Sequence, residues 1–249
     1  TRAYQAIQRA HALRLGADRA TRTLLRIPRV QVDMQPARTG GHEASQEQRA
    51  DDRAYFLSEK TDGVRHLMVF TGDTVVLVDR AMRGKQPIPI GANAEPFAPI
   101  LRLVQPGTVF DGEVVMNRGR SPPRPVFIVF DVLAISPTEP ILHLPFEQRL
   151  HHLRQATFGT KENQSAGQMF DPRFVGDNSV ALPLVRKNFV PRTDLDQLLS
   201  HVVEERGMRC YRNGDLHNHM TDGIIFQPNR PYVLGTDVHL LKWKYLDTV

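Results

Sequence analysis

The sequence predicts an α/β (α+β) fold, built as one large domain or two small ones. The chain has 249 residues, of which 41% are hydrophobic and 24% charged, and this composition is sufficient for a sizeable core. From Tyr55 onward, short apolar runs rich in β-formers alternate with turn residues, which predicts strands. Apolar residues at helical spacing predict helices over Phe146 to Ala156 and Asp194 to Glu205, the second with Thr193 as its N-cap.

The N-terminal part of the chain differs in composition from the rest. Residues 1–25 carry Ala, Leu and Arg at helical spacing without proline, so they predict an N-terminal helical segment. A surface helix packed on the core is favoured over a dedicated RNA-binding helix. Pro28 then holds an extended entry segment, and the polar residues from Arg38 to Asp52 predict an exposed loop or short helix.

The predicted strands follow one another at short intervals. Val64–Thr71 and Thr74–Val78 flank the turn Gly72-Asp73 and predict a hairpin. Val126–Leu133 is an almost continuous apolar run, which predicts a buried strand that ends near Asp131. Further strands are predicted at Tyr55–Leu57, Asp111–Val115, Leu184–Lys187, Asp222–Phe226 and His239–Lys244. Long loops are predicted at Arg83–Pro99 and Thr157–Leu182.

Charge, cysteine content and hydropathy restrict the classes of function. The net charge of +5 favours partners that carry phosphate, although a mild basic excess is also common on ordinary solvated surfaces. Cys210 is the single cysteine, so no intrachain disulfide can form and a reducing compartment is expected. No apolar run has the length of a membrane span or a signal peptide. Because the sequence begins at Thr1 rather than at methionine, we expect it to be a segment of a longer protein.

The stretch Glu59-Lys60-Thr61-Asp62-Gly63-Val64-Arg65 organises the candidate site. It lies between two predicted strands, so Lys60 stands at a strand end with a carboxylate, a glycine and an arginine close behind it. Most lysines are solvated ammonium groups without a chemical role. A lysine desolvated among other cations loses its proton more readily, and its free amine is then a nucleophile. Gly63 allows close approach of a ligand, and Arg65 can donate a fixed fork of hydrogen bonds to hydroxyls or phosphate.

Two places with carboxylates also have the character of a binding site. Asp111 and Glu113 are two residues apart on a predicted strand and therefore share a face. Asp222 stands beside a glycine at the mouth of a buried strand. Taken singly, a carboxylate beside a glycine more often belongs to a turn.

Aromatic and basic residues mark two further places. Phe127 or Phe130 has the flat ring needed to stack on a base, and Lys242 and Lys244 share one face of a predicted strand. Taken singly, the two phenylalanines are core residues and the two lysines form the solvated face of an edge strand. The remaining polar candidates are interpreted as solvated loop histidines and one inert packed cysteine: His217, His219, His239 and Cys210.

Taken in order, the motifs K-T-D-G-V-R, D-G-E-V-V, F-I-V-F-D, D-G-I-I-F and L-L-K-W-K resemble those of the covalent nucleotidyltransferases. This superfamily contains the mRNA capping guanylyltransferases and the ATP- or NAD-dependent polynucleotide ligases. Aspartate at the fourth motif (Asp222), the segment Pro231–Thr236 and the fifth motif resemble the capping branch more than the ligases. The resemblance extends from Ile27 to Lys244.

The resemblance implies a nucleotidyltransferase domain over residues 26–249. Its fold would be two antiparallel β-sheets flanked by helices, with a nucleotide cleft between them. Members of the family continue into an OB-fold domain that carries a sixth, basic motif. The sequence ends at Val249, just after the fifth motif, so we expect that domain to be absent from it.

The resemblance also implies a reaction. Lys60 would attack the α-phosphate of GTP, expel pyrophosphate and hold GMP as a phosphoramidate, and the GMP would then pass to the 5′-diphosphate end of an RNA to form the 5′–5′ cap. The implied cofactor is Mg²⁺ or Mn²⁺, held by Asp222 with Asp111 or Glu113, whose oxygens are hard ligands suited to these ions. The implied nucleotide contacts are Arg65 and Glu113 at the ribose, Phe127 against the guanine, Lys242 and Lys244 at the α-phosphate, and also Thr61 and Arg80.

The same resemblance implies a nuclear protein that acts beside RNA polymerase II or other capping activities and has no membrane partner. Two other functions stay open. An ATP-dependent RNA or DNA ligase would use the same lysine but carry AMP. A non-catalytic nucleotide- or RNA-binding module would keep the fold without turnover, although the charged positions that the chemistry requires are intact from Lys60 to Lys244.

Overall fold

The computed structural model describes residues 54–81, 83–85, 97–119, 121–160, 166–171 and 182–245. The predicted helical segment 1–25, the entry segment around Pro28 and the polar segment Arg38–Asp52 lie outside the described residues. Much of the loops predicted at 83–99 and 157–182 also lies outside them. Across the described ranges, no helix is both long enough and apolar enough to cross a membrane.

The described part of the chain is mainly β-structure. Its strands are β1 (Tyr55–Thr61), β2 (Val64–Phe70), β3 (Val75–Val78), β4 (Gly84–Lys85), β5 (Val109–Asn117), β6 (Arg124–Ser136), β7 (Glu139–Pro140), β8 (Leu184–Arg186), β9 (Val190–Pro191), β10 (Val202–Glu205), β11 (Met208–Arg212), β12 (Asn218–Pro228) and β13 (Leu241–Lys244). The predicted hairpin is confirmed, because β2 pairs antiparallel with β3. Both β6 and β12 extend beyond the apolar runs from which they were predicted.

The strands form two sheets, as the family resemblance implies. The first has the order β10-β11-β12-β1-β9, and β13 pairs with the same edge of β12 as β11 does, further along the strand. The second has the order β4-β3-β2-β5-β6-β7, with β8 also paired to β6. Among the described strands, β8 runs parallel to β6 and the other pairs are antiparallel. Asp62-Gly63 joins β1 to β2 and so carries the chain from one sheet to the other.

Short helices flank the sheets: α1 (Ala98–Leu101), α2 (Phe146–Gln155) and α3 (Leu195–Ser200), with 3-10 turns at Ala166–Phe170 and Arg192–Asp194. Helix α2 confirms the predicted helix. It ends at Ala156, which has the left-handed φ of 52° common at helix ends.

The helix predicted over Asp194–Glu205 is wrong in its second half. Val202–Glu205 forms β10, which returns as β11 through Arg206 and Gly207. These two residues have φ values of 53° and 73°, the positive values that a two-residue hairpin turn requires. Two adjacent β-branched valines before that turn favour a strand over a helix. Thr193 does not cap α3: Asp194 is the N-cap residue, its side chain accepts no bond from the helix N–H groups, and the Thr193 hydroxyl donates to Asp194 Oδ1.

The main core lies between the second sheet and α2. Its rings meet edge to face, with Phe110 and Phe158 at 4.8 Å and Phe146 and Phe189 at 4.8 Å between centroids. Such pairs are stabilising beyond the area that they bury. Because neighbouring residues of a strand point to opposite faces, burial of Phe110 directs Asp111 to the other face of β5. That face carries the polar residues of the candidate site.

Candidate active site

Lys60 lies at the penultimate position of β1, and its side chain contacts Asp222 of the same sheet. Its Nζ donates to both carboxylate oxygens of Asp222, at 2.5 and 2.6 Å. Lys244 Nζ lies 3.6 Å from Asp222 Oδ2. The side chains of Lys60 and Asp222 keep 18% and 21% of their exposure, so a ligand can reach the pair.

A β-bulge brings Asp222 to Lys60. β1 and β12 pair Lys60 with Gly223 and then Thr61 with Thr221, so Asp222 is an extra residue in β12. In an unbroken ladder Asp222 would be the partner of Thr61 and would share its face, away from Lys60. Bulges often re-aim a side chain beside an active site. The Asp222-Gly223 pair is therefore a bulge and not the turn that Asp-Gly more often indicates.

β13 supplies the two predicted lysines. Lys242 and Lys244 are separated by one residue on this strand and share a face, as predicted. Partial burial lowers the pKa of Lys242, and the positive charges of Arg65, Lys60 and Arg80 lower it further. Lys242 thus lies in an electrostatic field created by cations of both sheets.

The second sheet faces this cluster with Arg65, Glu113 and Arg80. Arg65 and Glu113 are cross-strand partners on β2 and β5 and therefore share a face. The negative charge of Glu113 acts on Lys242 in the direction opposite to the cations and favours its protonated form. Arg80 follows β3 and, together with Arg65, lines a pocket of about 470 Å³.

The expected stacking of Phe127 on a base is contradicted. Its side chain is fully buried in the main core, where it packs so closely on Gly112 that a Cβ there would overlap the ring. Phe130, the other ring of the same motif, is the half-buried one, and the Arg65 guanidinium lies 5.4 Å from its centroid. Phe130 is also the extra residue in a bulge between β5 and β6, and the apolar run did not reveal this bulge.

The expected role of Asp111 as a metal ligand is also contradicted. Its carboxylate is fully buried and accepts from Arg65 Nε at 2.9 Å and from Arg65 Nη2 at 2.5 Å. The Tyr232 hydroxyl donates to the same carboxylate at 2.5 Å. Burial has removed Asp111 from water, so these donors are what compensate its charge.

Thr61 does not join the lysine cluster. Its hydroxyl accepts from Lys187 Nζ at 2.7 Å in a buried group behind β1. Lys187 also lies 3.0 Å from Glu59 Oε1, and His219 Nε2 lies 3.2 Å from the same oxygen. Burial by itself would raise the pKa of Glu59, but Lys187 and His219 outweigh burial and hold it at about 2.

The interpretation of His217 and His219 as solvated loop residues is wrong. His219 lies in β12 and is buried, and His217 lies just before that strand with its ring against Tyr211. Burial lowers the pKa of His217 to about 4. The signal available in the sequence was alternation, because His217, His219 and Thr221 fall on one face of a strand.

Sequence reasoning assigned no role to Lys187, Glu59, His219 or Tyr232. Glu59 directly precedes Lys60 and Tyr232 lies in the capping-like segment, so both were visible in the motifs. The pairing of Glu59 with Lys187 depends on a contact between residues 128 positions apart, and no local pattern encodes it.

The described residues do not build a metal centre by themselves. Within the described ranges, no three His, Cys, Asp or Glu side chains are arranged to hold an ion. The oxygens of Asp222 contact Lys60, and Asp111 is buried with Arg65. Asp222 and Glu113 fit only the mode in which Mg²⁺ binds through one or two carboxylates together with substrate phosphates.

A two-sheet domain with a lysine held by an aspartate and surrounded by cations from both sheets has the architecture of a nucleotidyltransferase. Residues 42–246 match the family model described as mRNA capping enzyme, catalytic domain. This match covers more than half of the chain, and the chain therefore belongs to the mRNA capping enzyme family.

The chain is also similar to individual proteins that bear the name of this family. The chain is 28% identical over 201 residues to the mRNA-capping enzyme subunit alpha of Neurospora crassa, covering 76% of this chain and 45% of the relative. It is 25% identical over 195 residues to the mRNA-capping enzyme of Danio rerio, covering 78% of this chain and 29% of the relative. The chain thus spans less than half of the length of these curated relatives.

Among solved structures, the chain is similar to the ligase domain of M. tuberculosis LigD. The TM-score is 0.46 at 16% identity, covering 76% of this chain and 53% of that one. A mycobacterial DNA ligase D complexed with ATP and MES gives a TM-score of 0.45 at 17% identity, covering 77% of this chain and 54% of that one.

Proposed function

We propose that this chain is an mRNA guanylyltransferase in which Lys60 forms a covalent bond to GMP. The observation that carries the proposal is the contact of Lys60 Nζ with Asp222 at 2.5 and 2.6 Å, in which both side chains stay partly exposed. Lys242, Lys244, Arg65 and Arg80 surround this pair with positive charge. Such a cluster of cations suits a nucleoside triphosphate, whose phosphates carry the opposite charge.

The proposed step replaces one bond to phosphorus by another. Lys60 Nζ attacks the α-phosphorus of GTP and forms an N–P bond, while the bond from that phosphorus to the bridging oxygen breaks and pyrophosphate leaves. The amine loses a proton, and Asp222 is the carboxylate at hydrogen-bonding distance to accept it. Lys242 and Lys244 neutralise charge that develops on the phosphoryl oxygens.

We propose that Asp222 and Glu113 would hold a divalent cation, Mg²⁺ or Mn²⁺, together with the phosphates of the substrate. Asp222 and Glu113 are the carboxylates at the cleft that remain as candidate ligands once Asp111 is set aside. An ion bound there supplies charge neutralisation and orientation of the phosphates.

The second half of the proposed reaction consumes the adduct. A terminal phosphate oxygen at the 5′-diphosphate end of an RNA attacks the phosphorus of the lysyl-GMP, the N–P bond breaks and the amine of Lys60 is restored. Arg65 and Glu113 hold the ribose of the guanosine in this proposal. The preference for GTP over ATP rests on membership of the capping family.

Intact-mass spectrometry after incubation with Mg²⁺ and either GTP or ATP tests the proposal. We expect the wild-type chain to gain the mass of GMP, and Lys60→Arg to gain none because arginine keeps the charge but offers no titratable amine. Circular dichroism checks that the variant is folded. A variant that still labels refutes Lys60 as the nucleophile. An AMP adduct in place of GMP indicates ligase-type chemistry, and no adduct from either nucleotide indicates a non-catalytic module.

A further inference from the structure

Arg65 is bound along one edge by a closed set of hydrogen bonds. Its Nε and Nη2 donate to Asp111 Oδ1 and Oδ2 at 2.9 and 2.5 Å. Its Nη2 also donates to the Tyr232 hydroxyl at 2.8 Å, and that hydroxyl donates to Asp111 at 2.5 Å. The three groups form a triangle that does not include Nη1. Asp111 is fully buried whereas the Arg65 side chain keeps 38% of its exposure, so the guanidinium can present this other edge to a ligand.

Tyr232 is itself held firmly. Its backbone N–H donates to Leu142 O at 2.8 Å, which ties the segment after β12 to the second sheet. The Arg149 guanidinium lies 5.6 Å from the centre of the Tyr232 ring, and Arg149 forms a two-pronged ion pair with Asp131 at 2.9 and 2.8 Å. A ring fixed in this manner gives its hydroxyl a defined position. Burial raises the pKa of Tyr232 well above its ordinary value, and Asp111 raises it further, so the hydroxyl keeps its proton and remains a donor.

From this geometry we propose that Tyr232 is a positioning residue that orients the Arg65 guanidinium for the ribose hydroxyls of the nucleotide. The proposal rests on the function proposed above, because that function places Arg65 at the ribose. Asp111 alone leaves the guanidinium free to tilt about their two parallel hydrogen bonds. The Tyr232 hydroxyl adds a third fixed point, and three points define a plane.

Removing only the hydroxyl isolates this effect. In Tyr232→Phe the ring still packs on Arg149, but Arg65 loses an acceptor and Asp111 loses a donor. The probe is α,β-methylene GTP, in which the link between the α- and β-phosphorus atoms cannot be broken, so binding is measured apart from any covalent step. By calorimetry on the full chain, we expect Tyr232→Phe to weaken binding by about tenfold, the scale of one hydrogen bond in a polar site.

A double-mutant cycle separates positioning from general stability. If Tyr232 acts through Arg65, Tyr232→Phe should have no further effect in an Arg65→Ala background. The single variant Tyr232→Phe should also bind the probe and its 3′-deoxy counterpart with more similar affinities than the wild type does, because an oriented Arg65 is needed to recognise the 3′-hydroxyl. Tyr55→Phe, at the opposite end of β1 from Lys60, is the matched control and should bind like the wild type.

The outcomes are distinct. Two results show that Tyr232 supports only the fold and overturn the proposal. One is that the losses of binding free energy in the cycle are additive; the other is that Tyr232→Phe weakens binding of the probe and of its 3′-deoxy counterpart equally. Wild-type affinity in Tyr232→Phe overturns it as well. A wild-type chain that binds the probe but never labels with GTP refutes the proposed guanylyltransferase function while leaving the Tyr232 comparison readable on binding. A wild-type chain that does not bind the probe refutes both.

Discussion

The observed contact of Asp222 with Lys60 and its proposed role as a metal ligand exclude each other. The two Asp222 oxygens hold Lys60 at 2.5 and 2.6 Å, and the family resemblance assigns the same carboxylate to a divalent ion. Lys244 lies 3.6 Å away and is the cation placed to replace Lys60 as its partner. We expect Asp222 to accept the Lys60 proton and pass it to solvent when the triphosphate binds. The free amine of Lys60 then turns to the phosphate, and Lys244 becomes the partner of the carboxylate.

Replacing Asp222 by asparagine tests this exchange. Asp222→Asn keeps the shape of the side chain but removes the charge that accepts the lysine proton. We expect the rate of GMP labelling to fall on the order of a hundredfold, as for loss of one oriented polar group in an active site. Quenched-flow labelling measures the rate, and thermal denaturation measures stability. The control is Asp196→Asn on an exposed face of α3, which should label normally. Wild-type labelling by Asp222→Asn would falsify the assignment.

Several site residues could be predicted because the motif itself carries them. Lys60, Arg65 and Glu113 all lie close enough to Lys242 for their charges to act on it, since the face on which a strand residue points follows from its position in the strand. Phe127 and Phe130 could not be separated from each other by the same logic, because the bulge at Phe130 interrupts the alternation. Nor does the sequence near Glu59 indicate that Lys187, the residue after β8, reaches it and forms a buried ion pair behind Lys60.

At the level of elements, the two Asp-Gly pairs of the site share one structural cause. Asp111-Gly112 and Asp222-Gly223 both lie where a ladder slips by one residue. In each pair the glycine permits a close approach that a Cβ would block, by the Phe127 ring at Gly112 and by the Trp243 carbonyl at Gly223. The strands could be predicted from apolar runs. The slips could not, because they depend on how two distant strands pair.

Gly223→Ala should therefore displace β13. The added Cβ would overlap the backbone of Trp243, and the strand that carries Lys242 and Lys244 would have to move. Misplacement of phosphate contacts by about an ångström can cost on the order of a hundredfold in rate. We expect GMP labelling to fall on that scale, with a loss of stability of about 1–3 kcal/mol, typical of overpacking.

Gly167→Ala, in the 3-10 turn Ala166–Phe170, is the control for Gly223→Ala. Its Cβ would meet only Ala156 Cβ at 3.9 Å, an ordinary contact, so neither labelling nor melting temperature should change. The interpretation of β13 as a rigid support for the lysines fails if Gly223→Ala labels at the rate of the wild type.

For the molecule as a whole, polar contacts as well as apolar packing join the two sheets. Glu59 of β1 pairs with Lys187, whose backbone N–H donates to Val129 O of β6. At another point Arg118 N–H donates to Asn218 O at 2.7 Å. Breaking one partner of a buried ion pair is strongly destabilising, because the other charge stays buried without compensation. Protonation of the buried groups where the sheets meet, such as Glu59, should therefore lower the stability of the fold.

The signs of two pKa shifts predict loss of stability in acid. The folded pKa of His217 is about 4, below its ordinary 6.5, so the unfolded chain binds more protons between these values. The stability linked to His217 is fully present above pH 6.5 and is lost as the pH falls toward about 4. Glu59 has a folded pKa of about 2 against an ordinary 4.5, so its contribution is lost as the pH falls from 4.5 toward 2. Both shifts act in the same direction, and His217 acts first.

Removing the His217 imidazole should make stability depend less on pH between pH 6.5 and about 4. We expect the wild-type free energy of unfolding, measured by urea denaturation, to fall between neutral pH and pH 4 by up to about 3 kcal/mol more than that of His217→Gln. His143→Gln, at an exposed histidine after β7, is the control and should follow the wild type. Because the Glu59 pair remains intact in His217→Gln, that variant should still lose stability below pH 4.5. Parallel curves for wild type and His217→Gln from neutral pH to pH 4 would mean that His217 is not the group that first destabilises the junction, and that the acid response begins at Glu59.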